Sequence, residues 1–299
     1  MEKNVLHYFV DTNSSRGFVS FWESNFGKLE KVVKLDGYPD LLVTQLVSQA
    51  CAQALGCEQE VELIHNCLDN SLQGIILPGQ KTGLLNLPAY GDESYSLRLA
   101  EDENLSKARE RVQRAYGCFG QALKIHDDWE RIFISSMDFE AMDELAEETA
   151  EKLFGGQKTD RAGSCADRFF GAATVNGSYD YIPNITQEIP KRYFLKGRPG
   201  TGKSTFLKML ARAAQDRGYR TEAYHCAFDP NSLDMIAVRE LGLCVFDSTA
   251  PHEYFPDRDS DEIIDIYKAA VQPGTDEKYE KEIAGYSAGY KAKVREATG

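Results

Sequence analysis

Residues 192–214 dictate their own local structure more firmly than any other stretch of this chain. Arg192-Tyr-Phe-Leu195 reads as a buried strand. Gly197-Arg-Pro-Gly-Thr-Gly-Lys-Ser204 is a glycine-rich turn. Phe206, Leu207, Leu210, Ala211 and Ala214 then recur at helical spacing, and Gly218 is suited to cap the helix. The turn is a complete G-x-x-x-x-G-K-S phosphate loop, and strand–loop–helix is the context that gives this motif meaning. Glycines let several backbone N–H groups converge on phosphate oxygens. The helix start directs its positive end at the same point.

These residue types point to a nucleoside triphosphate. The expected contacts are Gly197, Arg198, Pro199, Gly200, Thr201, Gly202, Lys203, Ser204 and Thr205. Lys203 would neutralise the β- and γ-phosphates, and the Ser204 hydroxyl would face Mg²⁺. Leu241-Gly-Leu-Cys-Val-Phe-Asp247 is an apolar run ending in aspartate, the pattern of a Walker B strand, so Asp247 is the second expected magnesium residue. The expected cofactors are therefore ATP and Mg²⁺.

Sliding the chain against itself by 160 or 161 residues reveals a duplication. Tyr8-Phe9 falls on Phe169-Phe170, Lys31 on Lys191, Leu35 on Leu195, Gly37 on Gly197, Pro39 on Pro199, His65 on His225 and Asp69 on Asp229. After a one-residue slip, Ser71-Leu72 falls on Ser232-Leu233, Asn86 on Asp247 and Ala89 on Ala250. A period of this length suits duplicated domains rather than a solenoid. In the first copy Asp40, Leu42 and Val43 stand where the second has Gly200, Gly202 and Lys203, and Asn86 replaces Asp247. The following helix keeps its apolar stripe of Val43, Leu46, Val47, Ala50 and Ala54. The first copy is thus expected to fold but not to hold a nucleotide.

The remaining pattern predicts strands near 5–10, 31–36, 60–65 and 83–87, and again near 167–172, 192–196, 220–226 and 242–246. Leu105, Ala108, Val112, Ala115, Phe119, Ala122, His126, Trp129 and Phe133 form the seam of one long helix, with His126 half-buried in it. Helices are expected near 139–153, 260–271 and 276–297, the last two split by Pro273-Gly274, and the linker at 155–163. The match of Val112–Gly117 to Val294–Gly299 suggests a second copy lacking its last helical element. An apolar face near 263–297 would then be uncovered and favour self-association or a protein partner.

Three further residues are candidates for positioning water or accepting a proton: Asp229 and Asp234, in the segment after the strand ending at His225, and His252, five residues past Asp247. Asp229-Pro-Asn-Ser is equally good turn chemistry. The persistence of His65 and Asp69 in the first copy favours structural roles for His225 and Asp229. His225, Cys226 and His252 match no standard zinc spacing. Arg198 and Arg258 could balance transition-state charge, although solvated surface arginines are the plainer reading.

Composition narrows the setting. The chain has 299 residues and a net charge of −13, which argues against a generic nucleic-acid or anionic-membrane surface. Seven cysteines with no C-x-x-C pair suit a reducing cytoplasm. No apolar run approaches the ~18 residues of a membrane span.

With these motifs assembled, the chain resembles a bacterial family, common in Firmicutes, of tandem P-loop ATPases. The matching stretches are Arg168-Phe-Phe-Gly171, Lys196–Ser204, Tyr224–Asp234 and Phe246–His252. The resemblance spans essentially the whole chain and implies two P-loop NTPase domains; it brings no established substrate. This chain departs from the pattern in its first loop. The expected fold is α/β: two tandem P-loop NTPase-like domains, 1–155 degenerate and 156–299 active, with mostly parallel sheets and helical appendages. The expected activity is an Mg²⁺-dependent ATPase. A nucleotide or small-molecule kinase, or a nucleotide-controlled interaction protein with little turnover, would use the same loop.

Overall fold

A computed structural model describes residues 4–35, 38–86, 103–250 and 252–298, with the side chains of 103–105 excepted. Gly37, the end of the 83–87 strand, Ala89, Leu105's side chain and Gly299 lie outside the described residues. The first half runs β1 (Val5–Phe9), β2 (Asp11–Ser14), β3 (Gly17–Ser20), α1 (Trp22–Phe26), β4 (Lys31–Lys34), α2 (Asp40–Gly56), β5 (Val61–His65), β6 (Leu72–Leu77) and β7 (Thr82–Leu85). Two long helices follow, α3 (Glu103–Ile134) and α4 (Phe139–Phe154). The second half repeats the order as β8 (Ser164–Phe169), β9 (Gly171–Thr174), β10 (Gly177–Asp180), α5 (Ile182–Ile185), β11 (Lys191–Lys196), α6 (Lys203–Gln215), β12 (Arg220–His225), β13 (Leu233–Val238) and β14 (Leu243–Asp247). It then adds β15 (Glu262–Asp265), α7 (Ile266–Ala270), α8 (Thr275–Lys278) and α9 (Glu280–Thr298).

Eleven of the strands build one mixed sheet, ordered β15-β11-β14-β13-β12-β8-β1-β5-β6-β7-β4, and β2-β3 and β9-β10 form two separate hairpins. Each half contributes the same internal order, and the halves join where β1 meets β8 antiparallel at Phe9 and Phe169. The duplication seen in the sequence is therefore a duplication of topology. Parallel pairing links β1 to β5, β4 to β7, β8 to β12, and β11 to both β14 and β15. Antiparallel meanders β5-β6-β7 and β12-β13-β14 complete each half.

Several expectations need correction. Strands β6 and β13 were not foreseen, because Leu233–Val238 is covered on both faces and lacks the alternation that marks a half-buried strand. Residues 262–265 are an edge strand on β11, not the start of a helix; Glu-Ile-Ile-Asp is short and β-branched, and α7 begins only at Ile266. The face near 263–297 is covered in large part: Ile266 and Ala270 are buried, α7 packs under α4, and α9 lies along α3.

Helix α4 follows the first half in sequence but packs on the second. Met142, Ala146 and Phe154 share one core with Leu207, Leu210 and Ala214 of α6. The halves also exchange hairpin tips. Ser15, between β2 and β3, donates its N–H to the Phe228 carbonyl (3.0 Å), and Val175, between β9 and β10, donates to Leu68 (2.8 Å). At the seam Arg168, almost fully buried, binds Glu62 (2.9 Å) and lies near Glu222 (3.6 Å), two glutamates in equivalent places of the two halves. Among the described residues no helix is long and apolar enough to cross a membrane.

Candidate phosphate-binding site

The loop between β11 and α6 takes its shape from two glycines in the left-handed region, Gly200 (φ +77°) and Gly202 (φ +78°). Gly202 caps α6, so the first free N–H groups of that helix open onto the loop. Thr201 closes the turn by donating its hydroxyl to the Arg198 carbonyl (2.8 Å). Phe206, Leu207 and Leu210 bury the inner face of α6 and hold the loop against the sheet.

Sheet register brings the acidic residues to this loop. β14 runs parallel to β11 and pairs Asp247 with Leu195, two residues before the loop opens. β13 runs antiparallel to β14, with Met235 opposite Phe246, so Asp234 faces Asp247 across the strand pair. The end of β11, the end of β14 and the start of β13 therefore lie at one edge. Lys203 Nζ lies 3.6 Å from Asp247 Oδ2 and donates to the Arg198 carbonyl (2.9 Å). The other oxygen of Asp247 accepts from the Thr249 N–H (3.0 Å) and hydroxyl (2.7 Å), which fixes the carboxylate's direction. The Ser204 hydroxyl accepts from the Leu233 N–H (2.9 Å), tying the loop to the first residue of β13.

Asp234 lies deep in this cleft, yet solvent still reaches it. Burial, reinforced by the negative charge of Asp247, pushes its carboxyl up to about 6. Cys226, at the end of β12, packs beside Asp234; burial and that carboxylate push its thiol well up, so it is a poor nucleophile there.

The other candidates have partners of their own, although His252 is near enough to act on the charge of Asp234, and Asp229 on that of Glu130. Asp229 accepts from Arg16 of the first half (2.6 Å) and from the Asn231 N–H within its own turn, so it joins the halves. His225 binds Asp167 (3.1 Å) and the Pro230 carbonyl (2.7 Å) and packs on Phe21. His252 pairs with Asp180 (3.2 Å) and stands edge-on to Phe170. His225, Cys226 and His252 thus form no metal cluster among the described residues. Arg198 turns outward to Asp276 (2.8 Å), and Arg258 donates to the Ile189 carbonyl (2.9 Å). Pro199 completes the loop, and Thr205 lies exposed on the first turn of α6.

The structure adds a neighbour that sequence patterns could not supply. Helix α3 crosses the mouth of the loop, and a Cβ placed on Gly200 would fall 2.4 Å from the Glu130 carbonyl oxygen. The Glu130 carboxylate lies beside the Gly200 N–H, near enough for that dipole and the Lys203 charge to act on it. His126 Nδ1 lies 3.5 Å from Glu130 Oε1, and together with Asp127 these residues place three ligand atoms within 4.8 Å of one another, a grouping able to hold a cation.

The equivalent place in the first half is chemically different. Asp40 accepts from the Asn86 amide (3.2 Å), closing the space where a phosphate would lie. Val43 is buried where Lys203 reaches out. Gln73 faces Asn86 as Asp234 faces Asp247, so both acids of the second half are amides in the first. The Gln73–Asp234 equivalence was readable at the offset of 161. No family model, no curated protein and no solved structure matches this chain.

Proposed function

We propose that the second half binds a nucleoside triphosphate with Mg²⁺ and hydrolyses it, and that the chain is a tandem pair of P-loop domains with one degenerate member. The observation that carries this is the convergence of Gly197–Ser204, Asp247 and Asp234 at one sheet edge, set against the loss of the lysine and both acids in the first half. Backbone N–H groups of the loop would hold the phosphate oxygens, and Lys203 would leave the Arg198 carbonyl to neutralise the terminal phosphates. Ser204 and Asp247 offer two hard oxygen donors, the chemistry Mg²⁺ prefers, and would hold it. Bound there, the ion would supply charge neutralisation at the transferring phosphoryl group. Asp234 is the carboxylate placed to orient water or take its proton.

A turnover screen tests this. Phosphate release from Mg·ATP without an added acceptor is the expected result. ADP formation only when a nucleoside or metabolite is added would replace hydrolysis with kinase chemistry. No turnover and no binding would remove the proposal.

A further inference from the structure

Glu130 is an unusual neighbour for a phosphate loop. Its side chain is about one-third exposed (34%), and its carboxylate lies beside the Gly200 N–H, with Lys203 close enough to act on its charge. The contact is not a loose surface encounter. The backbone of α3 at Glu130 leaves no room even for a methyl group on Gly200. In a loop of this pattern that N–H points to where a triphosphate's oxygens must lie. One carboxylate thus stands beside a donor that the ligand needs, and the acidic stretch Asp127, Asp128 and Glu130 of α3 lies at a site meant for a polyanion.

Helix α3 is held from both ends of the molecule. Tyr116 donates its hydroxyl to Asn13 of the first half (2.7 Å), and Phe133 is fully buried. Against its other side lies α9: Tyr290 packs on His126 (ring centroids 5.6 Å apart), and Gly289 lies against Ile125. Movement of the 126–134 stretch would therefore be felt by α9.

Building on the triphosphate reading above, we propose that Glu130 is a built-in competitor for the phosphate cradle. Nucleotide enters only as the α3 segment around Glu130 lifts from Gly200, so occupancy of the site is reported to the α3–α9 layer. The clasp lowers apparent affinity by the fraction of time it stays closed; a clasp closed about nine-tenths of the time costs about tenfold in Kd.

The test titrates Mg·ATP into the full chain as wild type, Glu130→Ala, Glu130→Gln, Glu147→Gln and Lys203→Ala. Hydrogen exchange of residues 126–134 is followed in the wild type with and without ATP. Glu130→Ala should bind about tenfold tighter than wild type, and Glu130→Gln, which keeps a neutral acceptor, should fall between the two. Glu147→Gln, on the exposed face of α4, should match wild type, and ATP should speed exchange at 126–134. Unchanged or weaker binding by both Glu130 variants overturns the clasp, as does unchanged or slower exchange with ATP bound. If that happens while binding still depends on Lys203, only the clasp fails. If no variant binds Mg·ATP, or binding ignores Lys203, the triphosphate reading fails and takes the clasp with it.

Discussion

Replacing Arg168 with methionine probes the joint between the halves. The side chain is almost fully buried, and its guanidinium stacks over Tyr8 (4.0 Å), donates to Asn25 (2.8 Å) and serves both Glu62 and Glu222. The two glutamates would not suffer equally. Glu222 keeps Arg239 (2.8 Å) and the Tyr224 hydroxyl (2.8 Å), whereas Glu62 keeps only the Tyr8 hydroxyl (2.6 Å) of its partners described here. Removing one partner of a buried ion pair costs about 3–5 kcal/mol, most of it from the stranded charge. Arg168→Met should therefore destabilise the chain by about that amount in urea melts at pH 7. Adding Glu62→Gln should recover about 2 kcal/mol. The pH dependence is a second readout. Burial alone would raise the Glu222 carboxyl, but Arg168 and Arg239 outweigh burial and hold it at about 2, against an ordinary 4.5. A depressed carboxylate contributes stability above its unfolded pKa and loses it as pH falls. Between pH 4.5 and 2 the wild type should thus lose about 3 kcal/mol from this group, and the variant less. A loss below 1 kcal/mol at pH 7, or no rescue by Glu62→Gln, would refute the reasoning.

Other expectations follow from the site and the core. Lys203→Ala should weaken Mg·ATP binding at least about a hundredfold without lowering Tm, and wild type should titrate with one nucleotide per chain; two per chain would show that Asp40 and Val43 do not close the first loop. Asp247→Asn should cut turnover about a hundredfold or more while changing ATP affinity less than tenfold, measured by phosphate release and calorimetry. Asp11 is fully buried, and burial pushes its carboxyl up to about 6 despite a hydrogen bond from Gln73. A raised carboxyl favours the fold while protonated, so its contribution is present below pH ~4 and lost as pH rises through 6. Asp11→Asn should therefore stabilise the chain by about 1–3 kcal/mol at pH 7, with the gain vanishing near pH 4 in urea melts.

Much of this architecture is written in local patterns, and the gaps have physical causes. The seam from Ala108 to Phe133 announces α3, and the apolar stripe of α6 announces the helix behind the loop, because amphipathic helices carry their own period. The middle strands of the meanders, β6 and β13, were hidden because burial on both faces erases alternation. Amphipathicity also says that a helix buries a face, not what it meets. Nothing in 139–154 indicates that Met142 and Phe154 cover α6 of the other half. Glu130 was invisible for the same reason. A carboxylate on an amphipathic helix looks solvated until the tertiary structure sets it beside Gly200, seventy residues further along the chain.

If the second half alone binds nucleotide, the same contacts explain how the first half would keep its fold without a site. The differences from the second half's loop and acids are confined to the start of α2, with Asp40, Leu42 and Val43, and to the facing Gln73 and Asn86. Val43 belongs to the first half's own apolar cluster. The features that tie the halves lie elsewhere. Arg168 needs Glu62, Asp229 binds Arg16, the Ser15 hairpin tip sits on Phe228, and α4 roofs the α6 core. Losing the first half's fold would strand a buried arginine and uncover the core behind the second loop, whereas none of these contacts involves Asp40, Leu42, Gln73 or Asn86. On the proposed reading, a second half that binds nucleotide needs a folded first half whether or not that half binds anything, and the helix that follows the first half is the one that abuts Gly200 of the second loop.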